Sequence, residues 1–513
     1  MPRIELGFFI VQGYISGMLC YKNKKLYMVA AGIMVVLAGC ATEEIISEQY
    51  EPDASYEEYV RAMHELGMSN SRIGAAWVAS GELEGAEPVI AATPFQERRF
   101  LDPREPQAVF YLVEGMRGHR LDIAVNGPSG SAYFLDAYRL PAEYRPRIDS
   151  GQGNWQDVPW QRGEAEQAAS AGGVQHGESE LSFEPRQHRF YLIRLQPQLL
   201  EGGEFTIRIT ADAALAWPVP GTSHEDIWSV FGAPRDGGVR IHHGVDIFAP
   251  RHTPLVTISE ESYIRTVGQR DRGGNTVSIT DRQRDLMLYY AHLEDQEHDI
   301  EGQTVPSGTR VGTMGNTGNA MTTPPHLHIG IYEGSWRRPL DPWYFIVPLN
   351  TDPPGIAELP AALGEYARIV PASADIIAYP AQTSSTLPSP AVTDGRGDGL
   401  PESAYPVTSF PAGPALAARL ANGTPVRLTG VLGGYAHVTV PDGIRGYLPV
   451  QALGSLQQTG ERTIEQETMI TERVGGSFLP VAVAQAGDVV RDLGGYSSFR
   501  LVETSDGQRG WIQ

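Results

Sequence analysis

Four histidines and an aspartate stand out in three short, largely apolar stretches of this sequence. "IHHGVDIFAP", residues 241–250, carries His242 and Asp246. "PPHLHIGIY", residues 324–332, carries His326 and His328, and "LMLYYAHLED", residues 286–295, carries His292. Side chains on a strand alternate faces, so residues two or four apart point the same way. Read as strands, the first stretch puts His242 and Asp246 on one face, with Val245 and Ile247 turned away. The second puts His326 and His328 together, about 6–7 Å apart, with Leu327 and Ile329 on the other side. One surface receiving all five would hold four imidazoles and a carboxylate, which are costly to desolvate unpaired.

A metal suits that inventory better than a core does. Two histidines and one aspartate around zinc leave a fourth position for water, the pattern of a catalytic site. Two further histidines would remain for proton transfer, beside a water whose pKa falls from 15.7 to roughly 7. Taken singly, His326 or His292 would more often be a satisfied polar residue. His243, on the opposite face, reads as structural, as do His252 and His298. A Ser-His-Asp triad is disfavoured, because no serine sits in a Gly-x-Ser-x-Gly elbow.

The elements that must position these residues belong to a long, β-rich chain. Its 513 residues are too many for one core and imply three to five modules. Fifty-seven glycines and 38 prolines between short apolar runs point to strands joined by turns. The formal charge of −21 argues against nucleic acid as a partner. The cysteines are Cys20 and Cys40, so the chain beyond them has no internal disulfide and no thiolate zinc cluster.

"KNKKLYMVAAGIMVVLAGC" accounts for Cys40. A basic stretch precedes the mostly apolar residues 26–39, too short for a membrane span of about 20 residues but suited to a signal h-region. Leu37-Ala38-Gly39-Cys40 resembles a bacterial lipobox, which makes residues 1–39 a lipoprotein signal region and Cys40 the acylated residue. A start at Met18 would give that signal a normal basic front. The protein is then expected in the cell envelope, lipid-anchored to a membrane through Cys40, with Ala41 compatible with an outer membrane facing the periplasm. An uncleaved anchor helix is the other reading.

Residues 40–85 read as an acidic tether and short helices, with a Ser55/Glu58 capping box and a stop at Gly67. From 86 to 212 the pattern alternates ("AVFYLVEG", "HRLDIAVNG", "HRFYLIRLQ"), which predicts a β-sandwich interrupted by a polar loop near 146–180. Residues 213–350 contain the histidine stretches. After a Pro-rich link, "GGYAHVTVPDGIRGYL" (433–448) is echoed by "GGYSSFRLVETSDGQRGWI" (494–512), and Asp-Gly supplies hairpin turns in both. The two copies resemble bacterial SH3-like domains, 366–454 and 455–513, the first with an insertion at 382–410 that holds Arg396-Gly397-Asp398. Tyr435, Tyr447, Tyr496 and Trp511 suit either cores or a wall-binding surface.

Residues 228–346 resemble the lysostaphin-like, LytM-type zinc metalloendopeptidases that hydrolyse peptidoglycan. The resemblance is carried by "SVFGAPRDGGVRIHHGVDIFAPRHTPL", "GGNTVSITD", "LYYAHL", "VPSGTRVGTMGNTGNAMTTPPHLHIGIY" and "LDPWYF", in family order. It implies that His242, Asp246 and His328 bind one Zn2+ per chain and that His292 and His326 are the catalytic histidines. It also implies an antiparallel sheet with the site in a groove. The expected fold class is therefore mainly β and multidomain: a β-sandwich, an antiparallel-sheet LytM-type peptidase domain and two small SH3-like barrels. Two turns depart from the family, with His252-Thr253-Pro254 for the usual Gly-Thr-Pro and Ser262 near a usual glycine.

The expected function is hydrolysis of peptide cross-links or stem peptides of peptidoglycan. A second reading is a latent wall-binding regulator that activates another hydrolase, its site covered by residues 86–212. A third is a peptidase acting on proteins.

Overall fold

A computed structural model describes residues 27–30, 33–36, 54–84, 86–141, 165–384, 409–410, 415–474 and 477–513. Cys20, Cys40, the tether up to residue 53 and Arg396-Gly397-Asp398 lie outside the described residues. Within the apolar stretch 26–39, Tyr27–Ala30 and Ile33–Val36 pair antiparallel. No described helix is long and apolar enough to cross a membrane.

The helix Tyr56–Glu65 starts on a complete capping box between Ser55 and Glu58. Its Tyr59 and Met63, with Trp77 of the helix Arg72–Ser80, pack on Phe134 of a sheet. Trp77 is anchored there by its indole N–H, which donates to the Pro197 carbonyl at 2.8 Å.

Two sheets face each other over residues 89–213. One has the order Val89–Ile90, Val109–Gly115, Arg189–Pro197, Ala132–Arg139, Glu166–Ser170. The other runs Glu178–Phe183, His119–Asn126, Gly203–Ala213, Phe95–Leu101. Their inward residues, among them Tyr111, Leu135 and Ile193 on one side and Ile123, Phe205 and Ile207 on the other, share one buried core.

The second sheet does not stop at Phe95–Leu101. Pro425–Leu432 pairs with it antiparallel, Arg99 opposite Gly430 and Glu97 opposite Leu432. The sheet then continues through Tyr435–Thr439, Arg445–Pro449, Ser373–Ile377 and Ala415–Ala421. Leu432 and Tyr447 of this C-terminal part lie in the same core as Tyr111 and Ile207. The first repeat is thus fused to the sheet pair through a shared ladder. In both repeats Asp-Gly makes the hairpin turn, with Gly443 and Gly507 at φ +93° and +86°. Tyr447 and Trp511 are each 2% exposed, so both are core residues and not an open surface.

The last sheet has the order Gly460–Thr463, Val489–Tyr496, Phe499–Glu503, Arg509–Ile512, Thr468–Val474, Ser477–Ala484. It docks on the first repeat through Trp511, whose N–H meets the Tyr366 hydroxyl at 3.1 Å.

The sheet that carries the histidines has the order Ile227–Ser229, Val245–Phe248, His326–Glu333, Leu286–Leu293, Gly274–Asp281, Ser262–Arg270, Thr304–Val305, antiparallel throughout. Val245, Ile247, Val277, Ile279, Leu288, Leu327, Ile329 and Ile331 point from one face into a core and are at most 1% exposed. Each such side chain contributes roughly 1.5–3 kcal/mol by leaving water, which pins the register and so fixes what the opposite face presents. Residues 116–119 join this domain to the sheet pair. Met116 enters the histidine-sheet core, Arg117 pairs with Glu333 at 2.7 Å, and His119 meets Tyr344.

Candidate metal centre and active site

The register brings Asp246 directly opposite His328 and Phe248 directly opposite His326. His252 takes φ +69°, a left-handed conformation that glycine adopts at the least cost. Ser262, fully buried, uses its hydroxyl on the Ser259 carbonyl at 3.0 Å.

His242 reaches the site differently from the strand reading. Residues 241–250 are not one strand: Arg240–Ile241 pairs with Pro234–Arg235, and the main-sheet strand begins at Val245. The break is at Gly244, where a Cβ would lie 2.4 Å from the Ile329 carbonyl oxygen and 2.7 Å from the His328 ring. His242 therefore enters from a turn, yet on the same side as Asp246.

His242 Nε2, His328 Nδ1 and Asp246 Oδ1 form a triangle with edges of 2.9, 3.0 and 3.1 Å. The Val230 carbonyl accepts from His242 Nδ1 at 2.9 Å, so that nitrogen carries the proton and Nε2 presents its lone pair. The other Asp246 oxygen, Oδ2, accepts from Arg235 Nη2 at 2.7 Å, and the same guanidinium donates to Ser229 Oγ at 2.5 Å. Burial would raise the Asp246 carboxyl, but the close polar contacts with His242 and His328 outweigh it and hold it far below the usual range. Burial pushes His328 down, against the opposing bond to Asp246. These three residues form a group that can hold a metal ion. Two imidazole nitrogens and an ionised carboxylate, all converging on one point, make a donor set that fits Zn2+.

His292 sits where strand alternation alone would not put it. Leu286, Leu288 and Tyr290 of its strand point into the core, so His292 should follow them. The register shifts between Asn275 and Val277, opposite the end of this strand, and His292 takes φ +68°. That bulge turns the imidazole to the site face. The strained backbone is held by His292 N–H on the Gly273 carbonyl at 2.8 Å. His292 Nδ1 donates to the Thr317 carbonyl at 2.8 Å and His326 Nδ1 to the Pro324 carbonyl at 3.0 Å, leaving both Nε2 atoms as acceptors. The two rings lie 5.0 Å apart, and His292 lies 6.1 Å from His328. Burial pushes the His292 imidazole down to about 4, only partly opposed by the bond to Thr317.

All five expected residues therefore converge. His243 is directed elsewhere, its ring 6.5 Å from Phe231, and His252 is 61% exposed on its side chain beside Asp295. Sequence reasoning missed Arg235, which lies eleven positions before Asp246 in a turn with no periodicity to link them. It also missed Tyr289, edge-on to His328 at 6.1 Å, and the aromatic pair Trp228 and Phe248. The hydrogen bonds that orient His242, Asp246, His292 and His326 come from residues of this same domain, Val230, Arg235, Thr317 and Pro324. Trp228, joined to His326 through Phe248, and Trp336, joined to His328 through Tyr289, are 67 and 44% exposed, so the described residues outside this domain leave both uncovered.

Residues 240–342 match peptidase family M23. The chain is 33% identical over 129 residues to the L-Ala–D-Glu endopeptidase of Bacillus subtilis (strain 168), which is 24% of this chain and 39% of that protein. It is 32% identical over 88 residues to lysostaphin of Staphylococcus staphylolyticus, 17% of this chain and 18% of that one. The chain thus spans about two fifths or less of the curated relatives it matches. Among solved structures, the catalytic domain of lysostaphin from Staphylococcus simulans is 30% identical, over 23% of this chain and 87% of that one, with a TM-score of 0.21. A zinc-containing peptidase from Vibrio cholerae is 23% identical, over 37% of this chain and 52% of that one, with a TM-score of 0.24.

Proposed function

Residues 240–342 are a peptidase family M23 domain, and on that premise we propose that this chain is a zinc metalloendopeptidase that cleaves peptide cross-links or stem peptides of peptidoglycan. The observation that carries the reading is the convergence of His242, Asp246 and His328 beside two further histidines whose Nε2 atoms are free to accept. The relative named for an L-Ala–D-Glu bond supports a wall peptide as substrate. Lipid on Cys40 would hold the enzyme in the envelope, where that substrate lies.

Zn2+ on the three residues would supply Lewis acidity, polarising the scissile carbonyl and acidifying a water. The remaining chemistry belongs to the chain. Arg235 fixes the Asp246 carboxylate from outside, and the Val230 carbonyl fixes the His242 tautomer. His292, kept neutral by burial, is suited to accept the attacking water's proton at Nε2. The proton that His292 takes from the water is the one the leaving amine needs, and His326 Nε2, an acceptor until then, would receive it across the 5.0 Å between the two rings and pass it to that amine. The Thr317 and Pro324 carbonyls aim the two rings, so neither has to reorganise during the reaction.

The test is a pair of single variants in the full chain. His292→Ala and His326→Ala should each retain one zinc per chain and lose about 10²–10⁴-fold in kcat. Full turnover in either variant would remove that histidine from the mechanism.

A further inference from the structure

Three rings stack outward from the site. Phe248 lies on His326 with centroids 4.9 Å apart and planes 27° apart. Trp228 lies on Phe248 at 4.4 Å and 15°. The outermost ring, Trp228, remains 67% exposed. At the other end of the His326–Glu333 strand, Trp336 meets Tyr289 and Tyr332 edge-on, at interplanar angles of 90° and 63°. That end forms a wall, whereas the His326 end offers a flat face. A large aromatic ring left in water beside a reaction centre marks a contact surface.

We propose that Trp228, backed by Phe248, is a saccharide platform that receives a sugar ring of the glycan attached to the substrate peptide. The inference rests on the wall-peptide reading and names which part of that substrate the site selects. Two observations favour a sugar over the peptide as occupant. The bond named for the curated relative joins alanine to glutamate, and neither side chain offers a ring to stack on an indole. A hexosamine does, because its axial C–H bonds line one flat apolar face. The second observation is charge. The chain carries −21 formally, so an acidic stem peptide gains nothing from long-range attraction, and a neutral ring contact supplies affinity without that cost.

The spacing also fits. Phe248 and Asp246 are two residues apart on one strand, about 6–7 Å, and Trp228 lies one ring beyond. A sugar on Trp228 would therefore be about three extended residues, near 10 Å, from the triad. The stem peptide would cross His326 and the triad and stop short of Gly330, whose side of the strand is covered by the Tyr332 ring.

The experiment uses the full chain with His292→Ala, whose turnover, slowed about 10²–10⁴-fold, leaves time to read binding. Two ligands are compared by calorimetry: a cross-linked disaccharide-peptide, and the same cross-linked peptide stripped of its sugars. The sugar-bearing ligand should bind up to about tenfold tighter. Trp228→Ala should bring that ratio close to one, and Trp228→Phe should keep most of it. A ratio that survives Trp228→Ala, or a ratio of one before it, overturns the platform. Zinc content and circular dichroism establish that each variant is folded. Turnover of both ligands by the unaltered chain reads the enzymatic assignment separately. Cleavage with a ratio of one removes the platform alone, and a sugar preference without cleavage removes the peptidase reading alone.

Discussion

Arg235 holds the outer oxygen of Asp246 at 2.7 Å and leaves the inner one to the two imidazoles. The aspartate is thus oriented through the oxygen that does not face the two imidazoles. Such partners typically account for 10–100-fold in metal affinity.

Arg235→Ala should therefore weaken zinc binding by about that factor, read by competition with a chromogenic chelator. Activity at saturating zinc should recover in part. Unchanged affinity would show that Asp246 needs no support.

The joint between the sheet pair and the peptidase domain carries a pH dependence. His119 is 2% exposed, and burial pushes its imidazole down to about 4, against 6.5 for an ordinary histidine. Between those values the unfolded chain binds a proton that the folded chain refuses, so stability is complete above pH 6.5 and falls as pH drops toward 4. The loss attributable to His119 is about 2 kcal/mol by pH 5. Urea midpoints at pH 7 and pH 5 should fall less in His119→Phe than in the unaltered chain. Equal falls would mean that His119 does not titrate in this range.

The fused sheet makes its own prediction. Glu97 is fully buried and accepts from Tyr111 at 2.9 Å and from Tyr447 at 2.8 Å, one partner from each side of the shared ladder. Tyr447→Phe removes one donor to a buried carboxylate and should cost about 1.5–3 kcal/mol. Because the first repeat shares its core with the sheet pair, the loss should appear in one common calorimetric transition. A shift confined to a separate, smaller transition would show that the repeat folds by itself.

The chemistry was more legible in the sequence than the architecture. Alternation on strands was enough to put His326 beside His328, because a core of Leu327, Ile329 and Ile331 leaves the other face no choice. It also grouped His242 with Asp246, although a break at Gly244 and not a continuous strand brings them together. His292 was found through its neighbours in sequence, while its orientation depends on a bulge that no local pattern encodes. Arg235 acts through an approach between two turns, so spacing along the chain carries no trace of it. The pairing of Phe95–Leu101 with Pro425–Leu432 joins segments more than three hundred residues apart. Each edge reads as an ordinary strand, and nothing in either names the other.

Zinc-dependent cleavage of wall peptides stands or falls on a mass-resolved digest of purified cross-linked wall fragments by the zinc-loaded full chain, with the Asp246→Ala variant alongside. New monomeric muropeptides are expected from the unaltered chain, none from the variant, and none after chelation. An undigested substrate despite one bound zinc per chain, or equal products from the variant, would contradict it.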